Sequence, residues 1–194
     1  MTVKSARFIK SIADGNAESF SPQVCVAGRS NCGKSSLLNM LMNAKLCKTS
    51  QTPGRTQLIN VFEVEADERF YFIDLPGYGF NAAQKSRADA WSTRIDEYFR
   101  TCTKIAQVLC LMDIRRDPSD LDKTLINYLR DLELPFTVVL TKSDKLKRSQ
   151  QYNAKMKIAA ALGLARDNLI VTSSLDRSGR DELLTRIEEV IDNS

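Results

Sequence analysis

The architecture of this chain follows from one run of residues, Val24-Cys25-Val26-Ala27-Gly28-Arg29-Ser30-Asn31-Cys32-Gly33-Lys34-Ser35. Four apolar residues lead into the pattern G-x-x-x-x-G-K-S, and a helical pattern follows it. A strand, a glycine-rich turn and a helix start form a cradle whose backbone N–H groups point at phosphate oxygens. The lysine of the pattern reaches the β- and γ-phosphates, and its last serine ligates Mg²⁺. The predicted phosphate-binding residues are Gly28, Arg29, Ser30, Asn31, Cys32, Gly33, Lys34 and Ser35.

Length and composition limit the classes of function. The 194 residues suit one domain, and 43% hydrophobic and 27% charged residues are typical of a globular protein. The net charge of +4 is compatible with an RNA partner, but a solvated surface explains it equally well. The chain contains no histidine, which excludes histidine bases, histidine-containing triads and histidine metal ligands.

The cysteines and the apolar runs predict a cytoplasmic protein. Five cysteines without C-x-x-C spacing, and no secretory leader, favour a reducing compartment over a disulfide framework. Cys25 and Cys110 lie in apolar runs, where we expect small buried hydrophobes, whereas a helix N-terminus would lower the pKa of the Cys32 thiol. No apolar run reaches 18 residues, so we expect no membrane-spanning segment.

Alternating apolar runs and helical patterns predict an α/β domain with a mostly parallel sheet. Six strands are expected near 24–27, 58–64, 70–73, 107–112, 136–140 and 168–172. Five helices are expected near 34–44, 85–101, 119–133, 149–162 and 180–192. Strands 58–64 and 70–73 should pair antiparallel, because the turn between them is too short for a crossover helix. Residues 1–22 form an N-terminal segment in which Arg7-Phe8-Ile9 is a candidate edge strand.

A second motif follows the apolar run Phe70-Tyr71-Phe72-Ile73, where Asp74-Leu75-Pro76-Gly77 fits D-x-x-G. An acidic residue at the end of a strand holds Mg²⁺ through water, and the glycine lets its N–H approach the γ-phosphate. The pattern alone also describes many tight turns. Downstream of a phosphate cradle it predicts nucleotide contacts from Asp74, Leu75, Pro76 and Gly77.

A third motif, Thr141-Lys142-Ser143-Asp144, follows the apolar run 136–140. A carboxylate at the base edge accepts hydrogen bonds from guanine N1–H and the 2-amino group, donors that adenine lacks there. The Lys142 stem can lie along the purine face. By itself the tetrapeptide would be a solvated loop of mixed charges, but its position after a buried strand favours base recognition. After the last strand, Ser173, Ser174 and Leu175 can offer N–H groups to guanine O6.

The polar loop between the first helix and the second strand is placed to cover the phosphates. A threonine in it can bind Mg²⁺ only when a γ-phosphate is present, so residues 49–57 would order and disorder with the nucleotide. We choose Thr56 over Thr49 and Thr52. The contact residues predicted here are Gly54, Arg55, Thr56, Gln57 and Leu58.

Together the motifs resemble the EngB family of TRAFAC-class P-loop GTPases, also called the YihA or YsxC family. The resemblance rests on the cradle, on Thr52-Pro53-Gly54-Arg55-Thr56-Gln57-Leu58-Ile59-Asn60, on Asp74-Leu75-Pro76-Gly77-Tyr78-Gly79 and on T-K-S-D. Thr141 stands where most GTPases carry asparagine. The resemblance implies a Ras-like domain over residues 23–194 with six strands, five helices and no accessory domain. It also implies GTP/GDP and Mg²⁺ as ligands, assembly of the large ribosomal subunit, and a link to cell division and septation.

The resemblance also implies roles in hydrolysis. Ser35 and Thr56 would ligate Mg²⁺ directly with Asp74 behind them, and Lys34, Thr56 and Gly77 would act on the γ-phosphate. Tyr78 occupies the slot in which Ras-type enzymes place a water-orienting glutamine, so we expect slow intrinsic hydrolysis that a partner accelerates. An asparagine at position 31 holds an activating K⁺ in related GTPases; the alternative is that Asn31 only forms the turn.

Two classes of function stay open at this stage. The protein is either an enzymatic switch or a GTP-gated binding module whose hydrolysis is incidental. The expected partner is the large ribosomal subunit or its precursor, with rRNA and ribosomal proteins as contacts, and the chain is expected to be a monomer. Basic residues at the nucleotide end would contact RNA phosphates. The candidates are Arg115, Arg116, Lys142, Lys145, Lys147 and Arg148.

Overall fold

The computed structural model of the protein describes residues 1–12, 19–47, 58–78 and 95–193. The strands are β1 (Ser5–Ile12), β2 (Gln23–Gly28), β3 (Ile59–Glu65), β4 (Arg69–Asp74), β5 (Ile105–Asp113), β6 (Phe136–Thr141) and β7 (Leu169–Val171). The helices are α1 (Lys34–Met42), α2 (described from 95 to 101), α3 (Asp120–Asp131), α4 (Arg148–Leu162) and α5 (Arg180–Ile191). No helix in these described ranges has the length and apolar character needed to cross a bilayer.

The strands form one mixed sheet in the order β1-β3-β4-β2-β5-β6-β7. β4, β2, β5, β6 and β7 run parallel, whereas β3 pairs antiparallel with both β4 and β1. The predicted α/β class and the antiparallel pair are therefore confirmed. The expected strand number of six was wrong: the described residues form a sheet of seven strands, because the candidate strand at Arg7–Ile9 runs from Ser5 to Ile12 and pairs with β3.

Helices cover both faces of the sheet, as the continuous apolar runs of the parallel strands require. Successive residues of β2 point to opposite faces of the sheet. Cys25 and Ala27 lie in the core cluster on one face, and Val24 and Val26 lie in the cluster on the other. The first cluster includes apolar side chains of α2, α3 and α4, and the second includes those of α1 and α5. Trp91, predicted in the stripe of the second helix, lies outside the described residues.

The parallel register gathers the sequence motifs at one edge of the sheet. Gly28 lies opposite Leu111, Asp113 opposite Thr141, and Leu140 opposite Val171. The carboxyl ends of β2, β4, β6 and β7 therefore meet on the same side, which is where open α/β sheets bind ligands.

Gly179 holds the loop after β7 against the sheet, and its replacement tests this packing. It precedes α5 with φ 72°, and a Cβ there would lie 2.0 Å from the Val171 carbonyl oxygen. Gly163 has φ 60°, but a Cβ there would come no closer than 3.9 Å to Arg130. Gly163→Ala should therefore lower the free energy of unfolding by only about 1–2 kcal/mol, the strain of alanine in a left-handed conformation. Gly179→Ala should lower it by at least about 2 kcal/mol more, because the backbone must also move.

Urea unfolding of both variants measures the difference. Equal losses of unfolding free energy would show that the loop after β7 is not held by this contact.

Candidate nucleotide-binding site

The glycines of the cradle allow α1 to begin at the sheet edge with its amides exposed. Gly33 precedes the helix with φ 106°, in the left-handed region, and no described side chain caps the helix start. At Gly28 a Cβ would lie 2.6 Å from Cys32 Sγ and 3.0 Å from the Leu111 side chain and carbonyl oxygen. The N–H groups of the first turn of α1 are thus left for an anion, as the sequence motif predicts.

The D-x-x-G segment lies directly on this cradle. Lys34 Nζ donates to the Gly28 carbonyl oxygen at 3.3 Å. At Gly77 a Cβ would lie 2.9 Å from Ser30 Oγ and 3.1 Å from Lys34 Nζ. A Cβ at position 77 would crowd both side-chain ends, so the structure brings Lys34 and Gly77 together as a site for a terminal phosphate would require.

Asp74 meets the requirement for a Mg²⁺ site at this position. Its side chain is buried, and its Oδ1 has no hydrogen-bond partner among the described residues. Burial raises the pKa of Asp74 from 3.8 to about 6, while Lys34 and a hydrogen bond from Asn60 oppose the rise. A buried carboxylate with an orphaned oxygen at the end of β4 suits a hydrated cation. Ser35, the predicted hydroxyl ligand, lies in the first turn of α1.

Thr141 joins the base-recognition motif to the cradle. Its buried hydroxyl lies 2.6 Å from the Cys32 carbonyl oxygen and 3.2 Å from that of Met112, and it donates to them. Gly33 packs on the same side chain, with its Cβ position 3.6 Å from Thr141 Oγ1. The threonine that replaces the usual asparagine therefore braces the phosphate loop through a hydroxyl instead of an amide.

Lys142 crosses from this motif to the cradle as well. It adopts φ 62°, and its Nζ donates to the Asn31 carbonyl oxygen at 2.7 Å and pairs with Asp113 Oδ2 at 3.1 Å. Arg115 holds the same carboxylate with Nε at 2.9 Å and Nη2 at 2.6 Å. Burial would raise the pKa of Asp113, but Arg115 and Lys142 hold it well below its ordinary value. The Lys142 side chain is thereby held between Asp113 and the Asn31 carbonyl.

Asp144 is prepared as a hydrogen-bond acceptor. The buried Ser173 hydroxyl donates to its Oδ1 at 2.8 Å, and Lys145 Nζ lies 3.1 Å from its Oδ2. These contacts, the Ser173 hydrogen bond first, lower the pKa of Asp144. An ionised carboxylate held this way can accept from the N1–H and 2-amino groups of guanine.

The loop after β7 offers fewer amides than its sequence indicates. The Ser173 N–H donates to the Ser178 carbonyl oxygen at 3.1 Å, and the Leu175 N–H donates to Ser173 Oγ at 3.2 Å. Within the described part of the chain, the Ser174 N–H makes no hydrogen bond. Of the three predicted positions, Ser174 is therefore the one whose amide can meet guanine O6, and Leu175 exposes its side chain to solvent.

Tyr78 is tied to the protein rather than free at the phosphate end. Its buried hydroxyl donates to Asp122 Oδ1 at 2.9 Å, and Asp122 also accepts the N–H and hydroxyl of Ser119 at the start of α3. The Tyr78 backbone N–H donates to Gly28 at 3.3 Å, and its carbonyl accepts from Ser30 at 3.1 Å. The S-x-x-D pattern of residues 119–122 indicates a helix cap, but nothing in the sequence indicates Tyr78 as its partner.

The expectation for Cys32 was wrong. Burial raises the pKa of its thiol, with Lys34 opposing, so the residue stays protonated in the cradle. Its turn neighbour Asn31 has φ 63°, a conformation that asparagine tolerates. The conformation explains the residue type without deciding whether Asn31 also binds K⁺.

Part of the predicted site lies outside the described residues. These positions are Thr49, Thr52, Gly54, Arg55, Thr56 and Gln57. Leu58 is described, and lies exposed immediately before β3.

Comparisons with known proteins agree with this geometry. A family model described as 50S ribosome-binding GTPase matches residues 23–142. The chain is 41% identical to the probable GTP-binding protein EngB of Syntrophotalea carbinolica, over 97% of this chain and 91% of that protein. It is 36% identical to the protein of the same name from Caldanaerobacter subterraneus, over 99% of this chain and the full length of that protein.

Solved structures share the fold. A crystal structure of a probable GTP-binding protein engB has a TM-score of 0.70 at 23% identity, covering 89% of this chain and 99% of that one. Era of Aquifex aeolicus, bound to GDP and AlF₄⁻, has a TM-score of 0.72 at 22% identity, covering 88% of this chain and 57% of Era. At these identities the likeness concerns the architecture.

Loss of the Thr141 hydroxyl should weaken nucleotide binding. Thr141→Val keeps the shape but leaves the buried Cys32 carbonyl without its donor, which should reduce GDP affinity by about tenfold. Thr141→Ser should retain affinity. Titration with a fluorescent GDP analogue measures both, with Thr124→Val as the matched control, because Thr124 Oγ1 donates to a backbone carbonyl at an exposed position of α3. Wild-type affinity in Thr141→Val would contradict the bracing role.

Asp74→Asn should change how stability depends on pH. The pKa in the folded state, about 6, lies above the unfolded value of 3.8, so the contribution to stability is complete below pH 3.8 and is lost as the pH rises through 6. The nucleotide-free Asn variant should therefore gain about 3 kcal/mol relative to wild type between pH 4 and pH 7.5. Urea unfolding at both pH values tests this, with the exposed Asp131→Asn as control. A difference that does not vary with pH would mean that Asp74 is not destabilised by burial.

Proposed function

The chain belongs to the EngB family of GTP-binding proteins and carries a 50S ribosome-binding GTPase domain, and from this premise we propose that it is a GTP-dependent switch in assembly of the large ribosomal subunit. The resemblance of the sequence motifs to the EngB family is confirmed by these comparisons. Further proposals are a link to cell division and septation, a cytoplasmic location and a monomeric state. Residues 23–194 are proposed as one GTP-binding domain with residues 1–22 as an N-terminal extension.

The observation that carries this proposal is the connection between the base end and the phosphate end of the site. Asp144 is held as an acceptor by Ser173, and Thr141, three residues earlier, holds the cradle at Cys32. A nucleotide that places guanine on Asp144 has its phosphates at the amides of α1. Adenine would leave the carboxylate unpaired, which supports GTP over ATP.

The contacts of Tyr78 support a switch. The Ser30 N–H donates to the Tyr78 carbonyl oxygen at 3.1 Å. Because backbone amides of the cradle are the groups that bind phosphate, a γ-phosphate would compete with Tyr78 for this donor. GTP would thus reposition the segment after Asp74, whereas GDP would leave it closed on the cradle. Residues 49–57 are proposed to respond together with it.

Hydrolysis is proposed to be slow without a partner. Mg²⁺ held by Ser35 and Thr56 would neutralise phosphate charge. Lys34 and the Gly77 N–H would stabilise charge on the transferred phosphoryl group. Tyr78 cannot orient water while its hydroxyl is bound to Asp122, so the water-positioning group, or K⁺ near Asn31, must come from elsewhere.

A second candidate function is a GTP-gated binding module whose hydrolysis is incidental. It is favoured because Tyr78 cannot orient the attacking water while its hydroxyl is bound to Asp122. Repeated cycles on ribosomal precursors distinguish the two. An enzymatic switch cycles with GTP but stops after one round with a non-hydrolysable analogue, whereas a module cycles equally with both.

The ribosomal partner is supported by the family model and by one structural relative. Era, which shares this fold, has been solved with MgGDPNP and nucleotides of 16S ribosomal RNA. For this chain the proposed partner is the large subunit or its precursor, through rRNA and ribosomal proteins.

Asp144→Asn should exchange guanine for xanthine specificity, because the amide donates where the carboxylate accepts. In co-sedimentation with large ribosomal subunits, wild type should pellet with GTP but not with GDP or without nucleotide. Asp144→Asn should bind GTP at least about a hundredfold more weakly than wild type and should therefore not pellet with it. With XTP the variant should pellet again.

Asp131→Asn, an exposed substitution on α3, serves as the control and should behave as wild type. Pelleting of Asp144→Asn with GTP would contradict the base assignment. Equal pelleting of wild type in all three nucleotide conditions would contradict the switch.

A further inference from the structure

The positive charge of the protein is concentrated in one segment. Residues 142–157 contain six lysines and arginines and one aspartate, a net charge of +5, whereas the whole chain has +4. The rest of the chain is therefore slightly negative. α4, which occupies most of this segment, contains no acidic residue in its sequence RSQQYNAKMKIAAAL.

One side of α4 combines the exposed Arg148 and the half-buried Lys155 with an exposed aromatic ring. Arg148, Tyr152, Lys155 and Met156 are spaced i, i+4, i+7 and i+8 and so share a side of the helix, which we call the α4 face. The Tyr152 side chain is 60% exposed and Met156 is 40% exposed. Towards the C-terminal end of α4, Ala159 and Leu162 continue this spacing and, with Ile158, pack into the core, so the α4 face is the N-terminal part of this side.

The cations of the α4 face are not neutralised within the protein. Neighbouring cations have partners: Lys142 pairs with Asp113, Lys145 with Asp144, and Lys157 with Asp117. Arg148 and Lys155 have no carboxylate within 4.0 Å in the described ranges, and over the same ranges the Tyr152 hydroxyl makes no hydrogen bond.

The α4 face is connected to the nucleotide site. The first turn of α4 is attached to the base-recognition motif by Gln151, whose Nε2 donates to the Ser143 carbonyl at 2.9 Å and to that of Leu146 at 3.0 Å. A partner seated on this face would therefore contact a helix that starts four residues beyond Asp144.

We propose that the α4 face binds single-stranded RNA, with Arg148 and Lys155 on phosphates and the Tyr152 ring stacked on an unpaired base. Unneutralised cations attract the phosphate backbone, and an exposed aromatic ring among them gives a base a surface to stack on. An acidic protein segment would use the charges but has no need of the ring. The inference rests on the proposed function only for the source of the RNA, which would be ribosomal.

Fluorescence anisotropy with a labelled single-stranded RNA of about a dozen nucleotides tests the α4 face over a range of salt concentrations. Tyr152→Ala should weaken binding about tenfold with the same salt dependence, and Tyr152→Phe should restore it, because stacking needs the ring and not the hydroxyl. Arg148→Ala with Lys155→Ala should reduce the slope of log affinity against log salt by about 1.4. The control pair Lys104→Ala with Lys123→Ala removes two exposed cations elsewhere and should change neither.

Wild-type affinity in Tyr152→Ala, or an equal loss in the control pair, would overturn the proposal. Polyglutamate that binds as tightly as the RNA, with no effect of Tyr152→Ala, would identify an acidic protein partner and would also overturn it. GDP binding by every variant, measured in parallel, confirms that the fold is intact.

Co-sedimentation separates this inference from the proposed function. If wild type pellets with large subunits in GTP and Tyr152→Ala pellets equally, the α4 face is not the contact although the assembly function stands. If wild type does not pellet with any nucleotide, the assembly function fails, and the anisotropy result still decides whether the α4 face binds RNA.

Discussion

The hydrogen bond from the Thr141 hydroxyl to the Cys32 carbonyl is the contact on which the site depends. It joins the end of β6 to the phosphate loop after β2, across the width of β5. The parallel register brings Thr141 opposite Asp113, and Gly33 packs against the threonine side chain. The T-K-S-D motif and the phosphate loop thus meet at one edge of the sheet, which is the arrangement that a single bound nucleotide would require.

Two carboxylates near this edge, Asp113 and Asp74, have pKa values shifted in opposite directions. Asp113 is stabilised as an anion by Arg115 and Lys142, whereas burial raises the pKa of Asp74 and leaves one of its oxygens without a partner. The first arrangement holds Lys142 against Asp113 and the Asn31 carbonyl. Ionisation of the buried Asp74 is costly in the free protein, and a nearby cation would make it favourable. Such local conflict is expected at functional sites, where stability is given up for binding.

The sequence predicts those parts of the molecule that depend on local pattern. The cradle, the two strands of the antiparallel pair and the two later motifs are contiguous runs whose residue types suffice to indicate strand, turn and helix. The contacts between distant segments were not predictable in this way. Nothing local pairs Tyr78 with Asp122, or Asp113 with Lys142. Strand β1 showed only a weak signal because it lies at the edge of the sheet and buries only Ile12. The pKa of Cys32 follows its burial, which the sequence does not report.

The central claim is that one guanine nucleotide occupies the cradle and the T-K-S-D motif together. Equilibrium competition against a fluorescent GDP analogue tests it most directly, with unlabelled GDP and ADP as competitors of the wild-type protein. The account predicts that GDP displaces the probe at a concentration at least about a hundredfold lower than ADP, because adenine leaves the Asp144 carboxylate unpaired. Displacement by ADP at the same concentration as GDP would contradict it.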